Sequence, residues 1–326
     1  LTDRTPTLSR RDPRALVDAA VAGDRAAVAR LISLVERGGD SALEVARLTH
    51  GHGGRAYTVG ITGAPGAGKS SITDKVISIV RATGADVGVL AVDPSSPFSG
   101  GAFLGDRTRM QDHALDAGVF IRSMASRGHL GGLALATPQA VRVLDAAGLP
   151  WVLIETVGVG QVEVEVAAAA DTTVVVVNPG WGDAVQANKA GLLEIADLFV
   201  INKADRPGAR ETERDLRDML GNTTRWAKHP SIVHTVALDG TGIDEMWEAV
   251  VAHRHDIEVT GELAARRSRR AADEVREIVV RRIEQRAFRA CAGAAFEELT
   301  SQVVARSIDP YTAAGRILAE EAGEAE

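Results

Sequence analysis

The stretch GITGAPGAGKSSI at 60–72 constrains this chain more than any other, because it sets a glycine-rich bend between two segments of different period. Tyr57 to Thr62 reads as a short buried strand, and Ile72, Val76, Ile77 and Val80 recur at helical spacing after it. Within the bend, Gly63, Gly68, Lys69 and Ser70 satisfy GxxxxGK[ST], the pattern whose backbone N–H groups wrap the phosphates of a nucleotide. Ala64, Pro65, Gly66 and Ala67 complete the loop, and Ser71 follows it. A glycine turn beside an incidental lysine is the bland alternative, and the strand before and helix after argue against it. Glycine lets the main chain bend with no Cβ in the way, and the helix aims its positive N-terminal end at the anion. Lys69 is expected to reach the β- and γ-phosphates and the Ser70 hydroxyl to ligate Mg²⁺.

The rest of the chain fits a protein built around that loop. Its 326 residues can bury a full α/β core with smaller additions, and 25% charged with 45% apolar residues is ordinary for a folded soluble chain. A formal net charge of −7 argues against a broad nucleic-acid footprint, which needs a basic face. Cys291 is the single cysteine, so no intrachain disulfide or CxxC metal site exists and a reducing compartment is compatible. The first 20 residues lack the continuous apolar core of a secretory signal, and the most apolar later stretch is interrupted by Glu163, Glu165 and Asp171. A cytoplasmic protein with no membrane span is the expectation.

Three regions are expected. Residues 1–54 read as a helical arm, with apolar faces from Leu16 to Leu34 and a break at RGGD. Residues 55–257 alternate strands and helices, with strand-like segments at Val87 to Asp93, Val119 to Met124, Trp151 to Thr156, Thr172 to Asn178, Leu198 to Lys203 and Ile232 to Leu238. One intervening helix is expected to start with Thr137 as cap and Pro138 as its first residue. That alternation predicts a mostly parallel sheet covered on both faces, the P-loop NTPase class of α/β fold. Residues 258–326 form a helical extension whose many arginines are interleaved with Asp273, Glu274, Glu277 and Glu284. Pairs such as Glu277 with Arg281 point to a solvated or subunit-contacting face rather than to an RNA- or membrane-binding one.

NKAD at 202–205 follows the apolar run LFVI, where a base-reading loop would sit, and matches NKxD. An aspartate can accept hydrogen bonds from guanine N1–H and the exocyclic amine, whereas adenine offers no matching donors. Asp205 is therefore the expected specificity residue, Asn202 the residue that orients the loop, and Lys203 a stem lying along the base. Ala237 and Leu238, in VALDGTG, can add backbone contacts to the base. A triphosphate with Mg²⁺ also needs oxygen ligands at other strand ends. Asp93 closes VGVLAV, Glu155 closes WVLI, and Asp106 lies in LGDRTRM; a helix cap or solvated loop residue is the plain alternative for each. Gly158 in ETVG can offer its N–H to the γ-phosphate, and Val159 stands where Ras-like enzymes carry a water-orienting glutamine, so unassisted hydrolysis should be slow.

Taken together, GAPGAGKSS, VLAVDPSSPFSGGAFLGDRTRM, ETVGVGQVEVEVA, NPGWGDAVQANKAG and NKAD resemble the methylmalonyl-CoA mutase-associated GTPase family, the MeaB/MMAA or ArgK-like type, over roughly residues 10 to 320. The resemblance implies a GTPase of the class that includes signal-recognition and nickel-insertion GTPases, a GTP/GDP and Mg²⁺ site in which Lys69, Asp93, Asp106 and Glu155 serve the phosphates and metal, and a homodimer formed through C-terminal helices. It also implies a partner, an adenosylcobalamin-dependent methylmalonyl-CoA mutase whose cofactor loading and protection the GTPase gates. GDAVQANK matches the family's coupling loop, which makes Asp183, Gln186 and Lys189 the coupling candidates; spacing alone would read them as a capped, exposed helix start. The sequence departs in VAL, where many relatives have SAL, and it has no DxHxxG cobalamin pattern. A nickel-insertion GTPase would need a Cys/His cluster, which one cysteine and scattered histidines do not make. An ATP-dependent kinase linked to arginine or ornithine transport conflicts with NKAD, and a nucleotide-bound scaffold would tolerate loss of Lys69.

Overall fold

The computed structural model of the chain describes residues 12–94, 113, 115–126, 132–156, 169–181, 186–221 and 229–321. They form two compact units, Leu1–Arg266 and Arg267–Glu326.

The first unit opens with three helices, α1 (Pro13–Val21), α2 (Arg25–Arg37) and α3 (Gly39–His50). Each start has a local cause. Asp12 caps α1 ahead of Pro13, and Asp24 caps α2 by accepting from Ala26 N at 2.8 Å and Ala27 N at 3.3 Å. RGGD does break the helical run, at Gly38 with φ 72°. A second break at 22–24, with Gly23 at φ 97°, goes beyond the single interruption read from the sequence. The Asp145 carboxylate accepts from the N–H groups of Gly54, Arg55 and Ala56, which fastens the segment leading into the sheet.

Among the described residues seven strands follow: β1 (Tyr57–Gly63), β2 (Val87–Pro94), β3 (Val119–Ser126), β4 (Trp151–Thr156), β5 (Thr172–Val177), β6 (Leu198–Asn202) and β7 (Ser231–Thr235). They pair in parallel in the order β3-β2-β4-β1-β5-β6-β7. The helices between them are α4 (Lys69–Ala82), α5 (Gly132–Ala146), α6 (Gln186–Ile195) and α7 (Ala209–Gly221), and α8 (Ile243–Val259) comes after the last strand. This is the expected P-loop class of α/β fold, with helices on both faces of the sheet.

Alternation along the strands shows why both faces are covered. Val174 and Val176 of β5 join Ile72, Val76 and Val80 of α4 and Met246 and Val250 of α8 in one core, whereas Val175 and Val177 join Leu192, Leu216 and Leu220 of α6 and α7 in another. Leu90, Val92, Val152 and Ile154 pack with the N-terminal helices and α5. The chain steps from β1 outward to β2 and β3, returns through β4, and then crosses β1 to β5. The order therefore reverses at β1, and in open α/β sheets a ligand crevice lies at the carboxyl ends of the strands at such a reversal.

Two details differ from the sequence reading. α5 starts at Gly132 and carries Pro138 inside it rather than at its first position. β7 ends at Thr235, not Leu238, because Val236 turns into a loop closed by a bridge to Thr241.

At the opposite end of the sheet a polar chain runs from the buried Tyr57 to the partly exposed Arg266. Tyr57 OH lies 2.6 Å from Thr172 Oγ1, which lies 2.8 Å from His253 Nδ1, and His253 Nε2 lies 3.4 Å from Asp197. Asp197 in turn binds Arg266 at 2.9 Å. Burial pushes the Tyr57 hydroxyl up to about 12. Burial acts in the same direction on the Asp197 carboxyl, but the bonds from His253 and Arg266 outweigh it and hold that group below its usual value.

In the chain's last part α9 (Glu262–Ala290), α10 (Ala294–Val304) and α11 (Pro310–Glu321) follow one another. Arg281 binds Glu277 at 2.8 Å and Arg276 binds Asp273 at 2.5 Å, the interleaved pairing expected from the sequence. Among the described residues no helix is long and apolar enough to cross a membrane.

Candidate functional site

β1 ends at Gly63 with φ 130°, a conformation that L side chains rarely adopt. A Cβ there would stand 2.0 Å from the carbonyl oxygen of Val176, so β1 can lie against β5 and turn only with glycine at this point. Gly66 has φ 69° with open space around it. Gly68 has φ 95°, and a Cβ on it would meet Asn202 Nδ2 at 2.2 Å. Ala64, Pro65 and Ala67 complete the bend, in which Ala67 N donates to Ala64 O at 3.1 Å. α4 starts at Lys69 with Gly68 as its cap residue and no side-chain cap bond, and Ser71 lies in its first turn. A helix start of this kind, reached through a glycine bend, presents backbone N–H groups and a positive dipole end to an anion.

Lys69 is only 5% exposed, and its ammonium donates to Gly63 O at 2.9 Å and Ala64 O at 3.0 Å. The side chain therefore folds over the loop it follows. Ser70 Oγ donates to Glu155 Oε1 at 2.5 Å, which joins the loop to the end of β4. One residue further, Thr156 and Thr62 share a hydroxyl contact of 3.0 Å between β4 and β1. A serine hydroxyl and a carboxylate oxygen in contact at the start of α4 are hard oxygen donors, the set that suits Mg²⁺.

Asn202, at the end of β6, makes three bonds to two separate segments of the chain. Its Nδ2 donates to Ala67 O at 2.7 Å, while its Oδ1 accepts from Thr235 Oγ1 at 3.1 Å and from Ala237 N at 3.0 Å. Lys203 has φ 58°, uncommon outside glycine, and its Nζ donates to Gly66 O at 2.7 Å. Ala204 N donates to Thr235 O at 3.0 Å. The NKAD segment is thereby clamped to the glycine bend on one side and to the 235–237 segment on the other. Asp205 is exposed beside it.

The 236–241 turn has its own bonds. Val236 N donates to Thr241 O at 2.9 Å, and Gly240 N donates to Val236 O at 3.0 Å. Asp239 accepts from Thr241 N at 2.9 Å, and that bond with the Thr241 hydroxyl holds its carboxyl below the usual value. Ala237 is buried, whereas Leu238 is 90% exposed.

The structure thus brings Gly63 to Ser71, Glu155, Asn202, Lys203, Asp205, Ala237 and Leu238 to one end of the sheet. Asp93 lies on β2, paired beside Ala125 of β3, with its backbone alone described. Gln186 and Lys189 lie on α6, likewise in backbone. Asp106, Gly158 and Asp183 lie outside the described residues. Thr235, Thr62 and Thr156 were not singled out in the sequence. Each is a threonine on a strand, and only pairing across the sheet shows its partner.

The comparisons with known proteins agree with this geometry. The family described as methylmalonyl Co-A mutase-associated GTPase MeaB matches residues 28–292. A Pyrococcus abyssi protein that carries the provisional name of a GTPase is 50% identical over 309 residues, 94% of this chain and 95% of its own. The Escherichia coli protein named GTPase ArgK is 36% identical over 266 residues, 78% of this chain and 80% of its own. The mouse methylmalonic aciduria type A homolog, named as mitochondrial, is 36% identical over 289 residues, 82% of this chain and 70% of its own. A crystal structure of a LAO/AO transport system kinase has the same fold, with a TM-score of 0.71 over 95% of this chain and 97% of that one at 24% identity. A phosphate loop clamped to an NKxD segment, with a family match across most of its length, makes this chain a member of the methylmalonyl-CoA mutase-associated GTPase (MeaB) family.

Proposed function

We propose that the chain binds and hydrolyses GTP with Mg²⁺ and works as a nucleotide-gated chaperone of an adenosylcobalamin-dependent methylmalonyl-CoA mutase. The observation that carries this reading is the triple bonding of Asn202, which ties the glycine bend, the end of β7 and the Ala237 N–H into one unit. A base held by that unit has its phosphates delivered to the bend.

In this reading the N–H groups from Gly63 to Ser71 hold the β- and γ-phosphates, Lys69 leaves its loop carbonyls to neutralise them, and Asp205 accepts the guanine edge. Lys203 and the backbone of Ala237 and Leu238 frame the base. Ser70, Asp93, Asp106 and Glu155 would hold Mg²⁺, which supplies charge neutralisation at the phosphates. Gly158 would offer its N–H to the γ-phosphate. Water attacks the γ-phosphorus and GDP leaves, a reaction that positioning and charge stabilisation accelerate. With valine at 159 the attacking water lacks the glutamine of Ras-like enzymes, so turnover is slow until a partner orders the site.

Asp183, Gln186 and Lys189 would pass the nucleotide state to the mutase, and a mutase that prefers the GTP form must by linkage tighten GTP binding. We assign residues 1–54 to a helical arm, 55–257 to the GTPase domain and 258–326 to dimerisation, in a cytoplasmic homodimer. The test is GTP turnover by the purified protein, alone and with the mutase of the same organism, with Lys69→Ala as the blank. A saturable rise with mutase is expected. An unchanged rate with no complex on a sizing column would remove the mutase from the reading and leave the GTPase.

A further inference from the structure

The turn that leaves β5 is fastened to the helix that follows the NKAD segment. Gly180 N donates to Thr212 Oγ1 of α7 at 3.1 Å, and Thr212 N donates to Gly208 O at 2.9 Å. A Cβ on Gly208 would stand 3.7 Å from Pro179 Cβ and 3.8 Å from Gly180 N, so the bend that opens α7 lies against the turn. Trp181 closes the turn by donating its N–H to Asn178 O at 3.1 Å, and its side chain is 7% exposed in one core with Ala209 and Leu216 of α7 and Leu192 of α6. One residue after Thr212, Glu213 Oε2 lies 2.9 Å from His234 Nε2 on β7, next to the Thr235 that bonds Asn202. The first turn of α7 is thus tied to the base-side loops on one side and to the turn 178–181 on the other. That turn also carries an unmet demand. Asn178 Oδ1 is buried and has no hydrogen-bond partner among the described residues. A buried acceptor left so costs about 1–3 kcal/mol, which brings a competing arrangement of the turn closer in free energy.

We propose that the turn Asn178–Trp181 is the joint through which an occupied guanine site steadies α6, with Thr212 and Trp181 as its positioning residues. This role rests on the guanine-site reading above and gives that site a route to α6, where Gln186 and Lys189 lie. A base held by Asp205 restrains residues 203–208, which run through the bond from Arg206 N to Lys203 O at 3.0 Å into the start of α7. Thr212 passes that restraint to Gly180, and Trp181, packed in the same core as Leu192, passes it to α6. Guanine is common to GDP and GTP, so the joint distinguishes a loaded site from an empty one and is blind to the γ-phosphate. A partner that grips α6 therefore senses nucleotide loading separately from hydrolysis, and by linkage its grip favours the loaded site.

The test is backbone hydrogen–deuterium exchange over residues 186–195 of the full chain, without nucleotide, with saturating GDP and with a non-hydrolysable GTP analogue. Both nucleotides are expected to slow exchange there by the same factor, about tenfold, the size of an ordinary coupling between two sites. Thr212→Val removes the hydroxyl that Gly180 N uses and should take away about fivefold of that slowing, the worth of one hydrogen bond. Its GDP affinity should stay within about twofold of the parent, since no group that faces the nucleotide is changed. Thr212→Ser keeps the hydroxyl and should keep the slowing, whereas Trp181→Leu, which empties part of the shared core, should lose it as Thr212→Val does. Slowing at the parent's level in both Thr212→Val and Trp181→Leu overturns the proposal. Slowing with the analogue alone also overturns it, because the signal would then come from the γ-phosphate. GDP that binds the parent without slowing exchange over 186–195 removes the joint and leaves the site reading intact. If GDP does not bind the parent, the guanine reading falls, and this inference with it.

Discussion

Asn202 shows how much one side chain can hold. Its amide bonds to Ala67 O, Thr235 Oγ1 and Ala237 N, and it is nearly fully buried. Asn202→Ala would remove the bonds and leave Ala67 O and Ala237 N in the interior without this partner. At about 1–3 kcal/mol for each of the two buried groups so stranded, we expect a loss of about 2–6 kcal/mol in denaturant unfolding of the nucleotide-free protein. Thr235→Val strands no backbone group and should cost about 1 kcal/mol. Equal losses in the two variants would mean that Asn202 does not organise the site. The sequence announced Asn202 and Lys203 through the NKxD pattern but was silent on Thr235. Its bond to Asn202 joins residues 33 apart on neighbouring strands, and no periodicity within a segment encodes that.

Between elements, the strand–bend–helix order was legible because glycine positions and side-chain period are local properties. The ends of elements were less so. β7 stops three residues short of the end of the apolar run IVHTVAL because Val236 bonds to Thr241 rather than to β6. The break at 22–24 rests on a single glycine and a capping aspartate, a weaker mark than RGGD. The polar chain at the far end of the sheet was wholly invisible, since Tyr57, Thr172, Asp197, His253 and Arg266 come from five separated stretches. It carries a prediction about pH. The folded Asp197 carboxyl titrates below its usual value, so its ionised form stabilises the fold above the unfolded carboxylate's pKa of about 3.9, and that contribution is lost as pH falls through the folded value. Asp197→Asn keeps an acceptor for Thr173 N but gives up the charge facing Arg266. We expect it to cost about 2 kcal/mol at pH 7, measured by urea unfolding, with the gap from the parent narrowing only below about pH 4. A gap unchanged down to about pH 3 would show that the carboxylate's charge is not what matters there.

At the scale of the whole molecule, the helix Glu262–Ala290 poses a question of stability. It runs for 29 residues without a single buried one, while Val275, Val279 and Ile283 are 62%, 49% and 60% exposed at four-residue spacing on one face. Most helices gain their stability by burying an apolar face, and ion pairs such as Arg281 with Glu277 add only about 0.3–0.5 kcal/mol each. Val304, Tyr311 and Leu318 on the two following helices are exposed as well. A chain with a net charge of −7 has little reason to keep these residues in water unless a second copy covers them in the proposed homodimer. Two identical faces can meet about a two-fold axis, and interleaved charges of both signs beside the apolar stripe let the same surface pair with itself. Val279→Asp with Ile283→Asp puts a carboxylate at the middle of that face in both copies. Multi-angle light scattering should then show a monomer where the parent is a dimer, at low and at physiological salt alike, because screening does not restore an apolar interface. The proposed nucleotide site lies in the unit ending at Arg266, so GDP affinity should be unchanged in the same variant. A dimer that survives the double substitution would place its interface elsewhere and leave the exposed stripe to a different chain.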